Sequence, residues 1–294
     1  MLSRRNFIAA VAMTGSVALP PVGALANGVD AAQEAKRKIN IAGRQRMLTQ
    51  RMAKAITFCR LGIDVEMHLD QAVAAHALFD RSLKGLRFGS ADLGLNRETN
   101  GRVIDGLGRV NGLWLGYGAA VQACIDSRGA DDAAFAAVME QNLGILKEMN
   151  KTVGLTERAY GGSEIPLHLA IAINIAGRQR MLSQKMSKET GMIGSGWQGD
   201  ASSAALANTI ELFQSSLDAL RNGMSLVGIQ QPKTADVRQQ LATVAELWGK
   251  MRPLVDNAAA GGAADRETLQ QVAALNDPLL KEMNKAVFAY EAES

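Results

Sequence analysis

The chain has 294 residues, 47% of them apolar, 21% charged and only 4% aromatic, which suits a soluble globular protein and excludes a disordered, collagenous or polytopic membrane chain. The formal charge of +3 falls to +1 once Arg4 and Arg5 of an amino-terminal leader are left out, so no global charge draws the chain to nucleic acid or an anionic membrane. Thirteen methionines, abundant Ala, Leu and Gln, and few β-branched or aromatic runs predict an all-α fold.

Residues 1–26 have the marks of a targeting segment. Arg4 and Arg5 give a basic start, Phe7 to Leu19 is moderately apolar, and Ala24, Leu25 and Ala26 form a small-residue cleavage pattern. A membrane span needs about 20 apolar residues, and this stretch is too short and broken by Pro20 and Pro21. Ser3-Arg4-Arg5-Asn6-Phe7-Ile8 resembles the twin-arginine export signal, which implies delivery of a folded protein to the periplasm. No later window is apolar enough to cross a bilayer, so no membrane insertion of the mature chain is expected. Cys59 and Cys124 would lie where a disulfide is allowed, but spacing leaves their pairing open.

Everything after the leader is a tandem duplication. Ile39-Asn40-Ile41-Ala42-Gly43-Arg44-Gln45-Arg46-Met47-Leu48 recurs 134 residues later as Ile173-Asn174-Ile175-Ala176-Gly177-Arg178-Gln179-Arg180-Met181-Leu182. The same shift maps Phe79 to Phe213, Trp114 to Trp248, and Leu146–Lys151 to Leu280–Lys285, without an insertion. Two copies at so long a period mean two domains, 27–160 and 161–294, since solenoid repeats are much shorter.

Within the first copy the pattern predicts four helices. Helix 1 runs from about Ala31 to Leu61 and helix 2 from Val65 to Arg87, followed by a Gly/Ser/Asn-rich loop from Phe88 to Arg97. Helix 3 spans about Thr99 to Ser127, with several weakening glycines. After Arg128-Gly129-Ala130 comes helix 4, Asp132 to Tyr160, capped by Asp131 or Asp132. Gly161-Gly162-Ser163 joins the copies. Long helices with short connections predict an up-down-up-down four-helix bundle in each half.

On a wheel, helix 1 has two packed faces. Ile41, Leu48, Met52, Ile56 and Cys59 make an ordinary core stripe, while Ile39, Gly43, Arg46 and Gln50 gather on the opposite side. A solvated face needs neither Ile39 nor a mid-helix glycine, which costs about 1 kcal/mol relative to Ala. The second copy offers the matching set Ile173, Gly177, Arg180 and Gln184. The economical arrangement is therefore helix 1 against helix 1′, a pseudo-two-fold dimer tied into one chain.

That contact would bring Arg46 and Arg180 together, and two desolvated guanidiniums repel unless an anion lies between them. From Ala35 to Ile63 the chain carries eight basic residues and no acidic one, so the local potential is positive. Arginine suits a small planar oxyanion because its fork makes paired hydrogen bonds, and Gly43 and Gly177 would let the backbones approach closely. The bland alternatives are a solvated basic face and a glycine that only packs.

The Ile-Asn-x-Ala-Gly-x-x-Arg-Met segment resembles the helix 1 signature of the type IV pili chemotaxis transducer N-terminal (PilJ-type) domain, which in turn is similar to the nitrate/nitrite-sensing domain of NarX-type kinases. Both copies match. The resemblance implies an anion held between first helices by one arginine from each, at positions matching Arg46 and Arg180, beside Gly43 and Gly177, with Gln50 and Gln184 nearby. Arg44-Gln45 and Arg178-Gln179 depart from the small, apolar pair usual in those kinases, which makes this site more basic.

The remaining features are read as structural. Leu146–Lys151 and its copy suit a helix seam, Trp114 and Trp248 suit core anchors, and the three histidines have no counterparts in the other copy. No nucleophile motif, phosphate loop or dinucleotide fingerprint is present, and no enzyme activity, cofactor or metal is expected. The expectation is a periplasmic receptor for a small inorganic oxyanion, nitrate or nitrite, that reports to a membrane sensor kinase, chemoreceptor or transporter. The competing reading is a ligand-free helical adaptor.

Overall fold

The computed structural model describes residues 22–262 and 264–293, with side chains from residue 31 onward. The expected export signal with Arg4 and Arg5 lies outside the described residues. Eight α-helices follow in order: α1 Val22–Arg60, α2 Val65–Phe88, α3 Gly101–Asp126, α4 Asp132–Tyr160, α5 Leu167–Gly194, α6 Gly199–Asn222, α7 Ala235–Ala259 and α8 Arg266–Ala292. Helix α1 begins earlier than expected and runs through Ala24, Leu25 and Ala26; no proline between Val22 and Ala31 interrupts it. The glycines of α3 do not break it: Gly106 sits against Thr152 and Leu155, where a side chain would collide.

Helix boundaries follow local chemistry. Asp131 caps α4 by accepting the Ala134 N–H at 2.9 Å, and its counterpart Asp265 caps α8 through Thr268 at the same distance. Asn100 and Thr234 cap α3 and α7. Gly62, Gly129, Gly196 and Gly261 take positive φ just beyond helix ends, a region that glycine enters without steric cost.

In the first half α1 packs on α2 and α4, and α3 on α4 and α2, leaving α1 and α3 diagonal; α5, α6, α7 and α8 repeat this arrangement. Trp114 and Trp248 are buried anchors, stacked on Phe79 and Phe213 with ring centroids 4.3 and 4.6 Å apart. Cys59 and Cys124 are both buried and unbonded. Burial holds each thiol up at about 11, which keeps it protonated and unreactive at neutral pH.

The most extensive helix contact is α1 against α5. Both faces of α1 are covered: Ile41, Leu48, Met52 and Ile56 on one side, Ile39, Arg46, Gln50 and Ala53 on the other, each no more than 5% exposed. A helix wrapped on all sides has no need of an amphipathic pattern. Equivalent residues face one another along this contact, with Gly43 opposite Gly177 and Thr57 opposite Gly191, so α1 and α5 run parallel and in register about a pseudo-two-fold axis. Among the described residues, no helix is long and apolar enough to cross a membrane.

Candidate oxyanion site in the seam between α1 and α5

The register of the seam brings four of the expected site residues to one place. A Cβ on Gly43 would stand 3.3 Å from Arg46 Nη2 and 3.6 Å from Arg180 Nη2; on Gly177 the corresponding distances are 3.5 and 3.2 Å. Both guanidiniums therefore close on the same small cradle, whose walls are bare glycine backbone. The arginines are fixed reciprocally across the seam. Arg46 Nη2 donates to the Asn174 carbonyl at 3.0 Å and Arg180 Nη2 to the Asn40 carbonyl at 3.2 Å. Each Nη1 donates at 3.1 Å to an asparagine of its own half, Asn150 on α4 or Asn284 on α8.

Charge is poorly compensated here. Each arginine is 1% exposed, and among the described residues neither forms a salt bridge. Their named acceptors are neutral oxygens, and Arg180 Nε has no partner among the described residues. Burial pushes both arginines down to about 9; Arg178 and Arg180 add repulsion at Arg46, and Arg44 does so at Arg180. At that value both remain charged at neutral pH. Glu157 and Glu291 offset part of the repulsion from the flanks, with Glu157 accepting from the Asn174 amide. Two buried cations without a counter-ion in direct contact carry a desolvation cost of several kcal/mol each, and a planar anion with several acceptor oxygens is a group that would relieve it.

Gln50 and Gln184 are placed one turn further on, in a second polar layer. Gln50 Oε1 accepts from Lys188 at 3.1 Å, while Gln184 donates to Asn276 at 2.7 Å and accepts from Arg51 at 3.4 Å. Lys54 donates to Gln71 at 2.7 Å and to Asn276 at 3.2 Å; Lys188 donates to Asn142 at 2.9 Å. Burial lowers these lysines to about 7 and about 8. Sequence reasoning missed Asn150 and Asn284, read as part of an ordinary seam, and also Asn142 and Asn276. Their signal was repetition: each asparagine recurs at the 134-residue shift, Asn142 and Asn276 on a buried apolar face, Asn150 and Asn284 at its more exposed edge.

Two fused helical bundles that meet along their first helices, with paired cations buried in the seam, define a duplicated all-helical module. Comparison of the sequence with known families makes this specific. The chain belongs to the family of the type IV pili methyl-accepting chemotaxis transducer N-terminal (PilJ) domain, which matches residues 29–156 and 166–275. Methyl-accepting chemotaxis protein McpN of Pseudomonas aeruginosa is 31% identical over 137 residues, covering 45% of this chain and 25% of the relative. The chain thus matches only a quarter of that relative's length. No solved structure matches.

Proposed function

We propose that the protein is an exported sensory binding protein that takes one small planar oxyanion, nitrate or nitrite, between Arg46 and Arg180 and reports its presence to a membrane partner. The observation that carries this reading is the pair of buried, incompletely compensated guanidiniums converging on Gly43 and Gly177. An anion there would draw both arginines inward and bind only when α1 and α5 hold their register, so it would favour one arrangement of the seam over others. A ligand shifts an equilibrium only by its differential affinity for the two states, and here that difference is the charge relieved. A membrane sensor kinase, chemoreceptor or transporter would receive the signal. Export by the twin-arginine route belongs to the same reading, and lysine at both Arg4 and Arg5 should then retain the precursor in the cytoplasm.

The test is calorimetric titration of the mature protein with nitrate, nitrite and chloride. Saturable binding of one nitrate or nitrite per chain, lost in the Arg46→Ala, Arg180→Ala double variant, supports the proposal. Equal responses to all three ions, or a response that survives the double change, would favour the ligand-free adaptor.

A further inference from the structure

Fusion frees the two copies to diverge, and they differ sharply beside the second polar layer. In the first half Phe58 lies on His68 with ring centroids 4.9 Å apart, Lys54 donates to Gln71, and Asp277 stands 3.8 Å from Lys54. The residues equivalent to Phe58, His68, Gln71 and Asp277 under the 134-residue shift are Met192, Ser202, Ala205 and Leu143. Smaller or apolar side chains thus replace an aromatic ring, an imidazole, an amide and a carboxylate. Beside these positions a cleft of about 200 Å³ opens between α4, α5 and α6, lined by Met139, Glu140, Leu143, Met192 and Trp197, with Lys188 and Glu189 at its base.

The two charged groups are 3% and 2% exposed and incompletely satisfied. Glu189 Oε1 accepts from Lys185, but Oε2 is buried and has no partner among the described residues. Glu189 has no counterpart in the first half, where the equivalent position is Ala55. Lys188 spends two of its three N–H donors on Gln50 and Asn142. A buried carboxylate oxygen without a donor is expensive to keep, and here it adjoins an ammonium with a donor to spare and a wall of Met, Leu and Trp.

We propose that this cavity is a second ligand site, for a small apolar α-amino acid whose ammonium donates to Glu189, whose carboxylate accepts from Lys188, and whose side chain lies among Met139, Met192 and Trp197. Lys185 already pairs with Glu189 through Oε1, so what the cleft lacks is a donor for Oε2 and an acceptor for Lys188; a zwitterion supplies both, whereas an amine or a carboxylate alone supplies one. Size agrees: 200 Å³ holds about seven waters at roughly 30 Å³ each, close to the nine heavy atoms of leucine. The site is separate from the arginine cradle and does not depend on the oxyanion reading, although the Lys188–Gln50 bond ties it to the same seam.

L-Leucine, isopentylamine and 4-methylpentanoate titrated into the full mature chain, followed by calorimetry and by the tryptophan fluorescence to which Trp197 contributes, test the proposal. Leucine should bind once per chain, with each half-charged analogue at least tenfold weaker. Ala205→Gln installs the residue that the first half already accommodates and should abolish leucine binding while leaving the nitrate titration and the melting curve unchanged. Glu189→Gln should weaken leucine at least tenfold. Absence of saturable leucine binding, leucine binding unaffected by Ala205→Gln, or an amine or carboxylate that matches leucine would overturn the assignment. Loss of leucine binding with nitrate binding intact, or the reverse, tells the failure of one site from that of the other.

Discussion

Gly43→Ala separates the anion account from a purely structural one. In the middle of a helix alanine is favoured over glycine by about 1 kcal/mol. The new Cβ would meet Arg46 Nη2 at 3.3 Å and Arg180 Nη2 at 3.6 Å, the far ends of flexible side chains that can yield by a few tenths of an ångström. The ligand-free variant should therefore be as stable as the wild type or up to about 1 kcal/mol more stable, a rise in Tm of about 2–4 °C for a chain of this size. The methyl group nevertheless fills the space where an oxygen of the anion must approach both guanidiniums. With nitrate at 100 times its Kd the wild type gains about 2.7 kcal/mol, and the variant should gain little of this. Scanning calorimetry in nitrate and in chloride at equal ionic strength measures both quantities. A variant that keeps the full wild-type nitrate increment would refute the cradle.

Other perturbations test separate parts of the argument. Arg46→Lys or Arg180→Lys keeps the charge but loses the fork, and should weaken nitrate at least about tenfold by titration. Gly191→Ala would place its Cβ 2.9 Å from Thr57 Cγ2 and 3.1 Å from the Phe58 ring; overpacking of this kind costs about 1–3 kcal/mol against about 1 kcal/mol regained from helix propensity, so a net gain in stability in urea unfolding would contradict the in-register seam. Lys54 gives a pH test. Its folded value is about 7 against an ordinary 10.5, so below pH 7 both folded and unfolded states hold the proton and the burial penalty is present in full. Above pH 7 the folded state releases the proton first, and stability rises with pH by up to about 1.4 kcal/mol per unit. Lys54→Met should remove that contribution between pH 7 and 8.5, and identical slopes in the variant and wild type would refute it.

The duplication made most of the fold legible. Capping residues and turn glycines gave helix ends such as Asp132 and Tyr160, and the repeat carried them into the second half as α5 to α8. Ile39 and Gly43 on the outer face of helix 1 revealed the second contact, because neither belongs on a solvated surface. The asparagines were less legible. A polar residue at the edge of a seam reads as surface, and only the packed structure shows Asn150 and Asn284 holding the arginines. Gln50 and Gln184 share the wheel position of Arg46 and Arg180 yet engage Lys188 and Asn276, since one helical turn, about 5.4 Å, is enough to pass from one polar layer to the next. The asymmetry around Lys188 went unseen because it lies in the differences between copies, whereas the repeat drew attention to what they share.

The measurement that bears most directly on the oxyanion assignment is a crystal structure of the mature protein grown in nitrate, with a matched crystal grown in chloride. The account predicts planar, three-lobed electron density between Gly43 and Gly177, with oxygens at about 2.7–3.2 Å from Arg46 Nη2 and Arg180 Nη2. Nitrate absent from that cradle at saturating concentration, with both guanidiniums still on the Asn174 and Asn40 carbonyls, would contradict it.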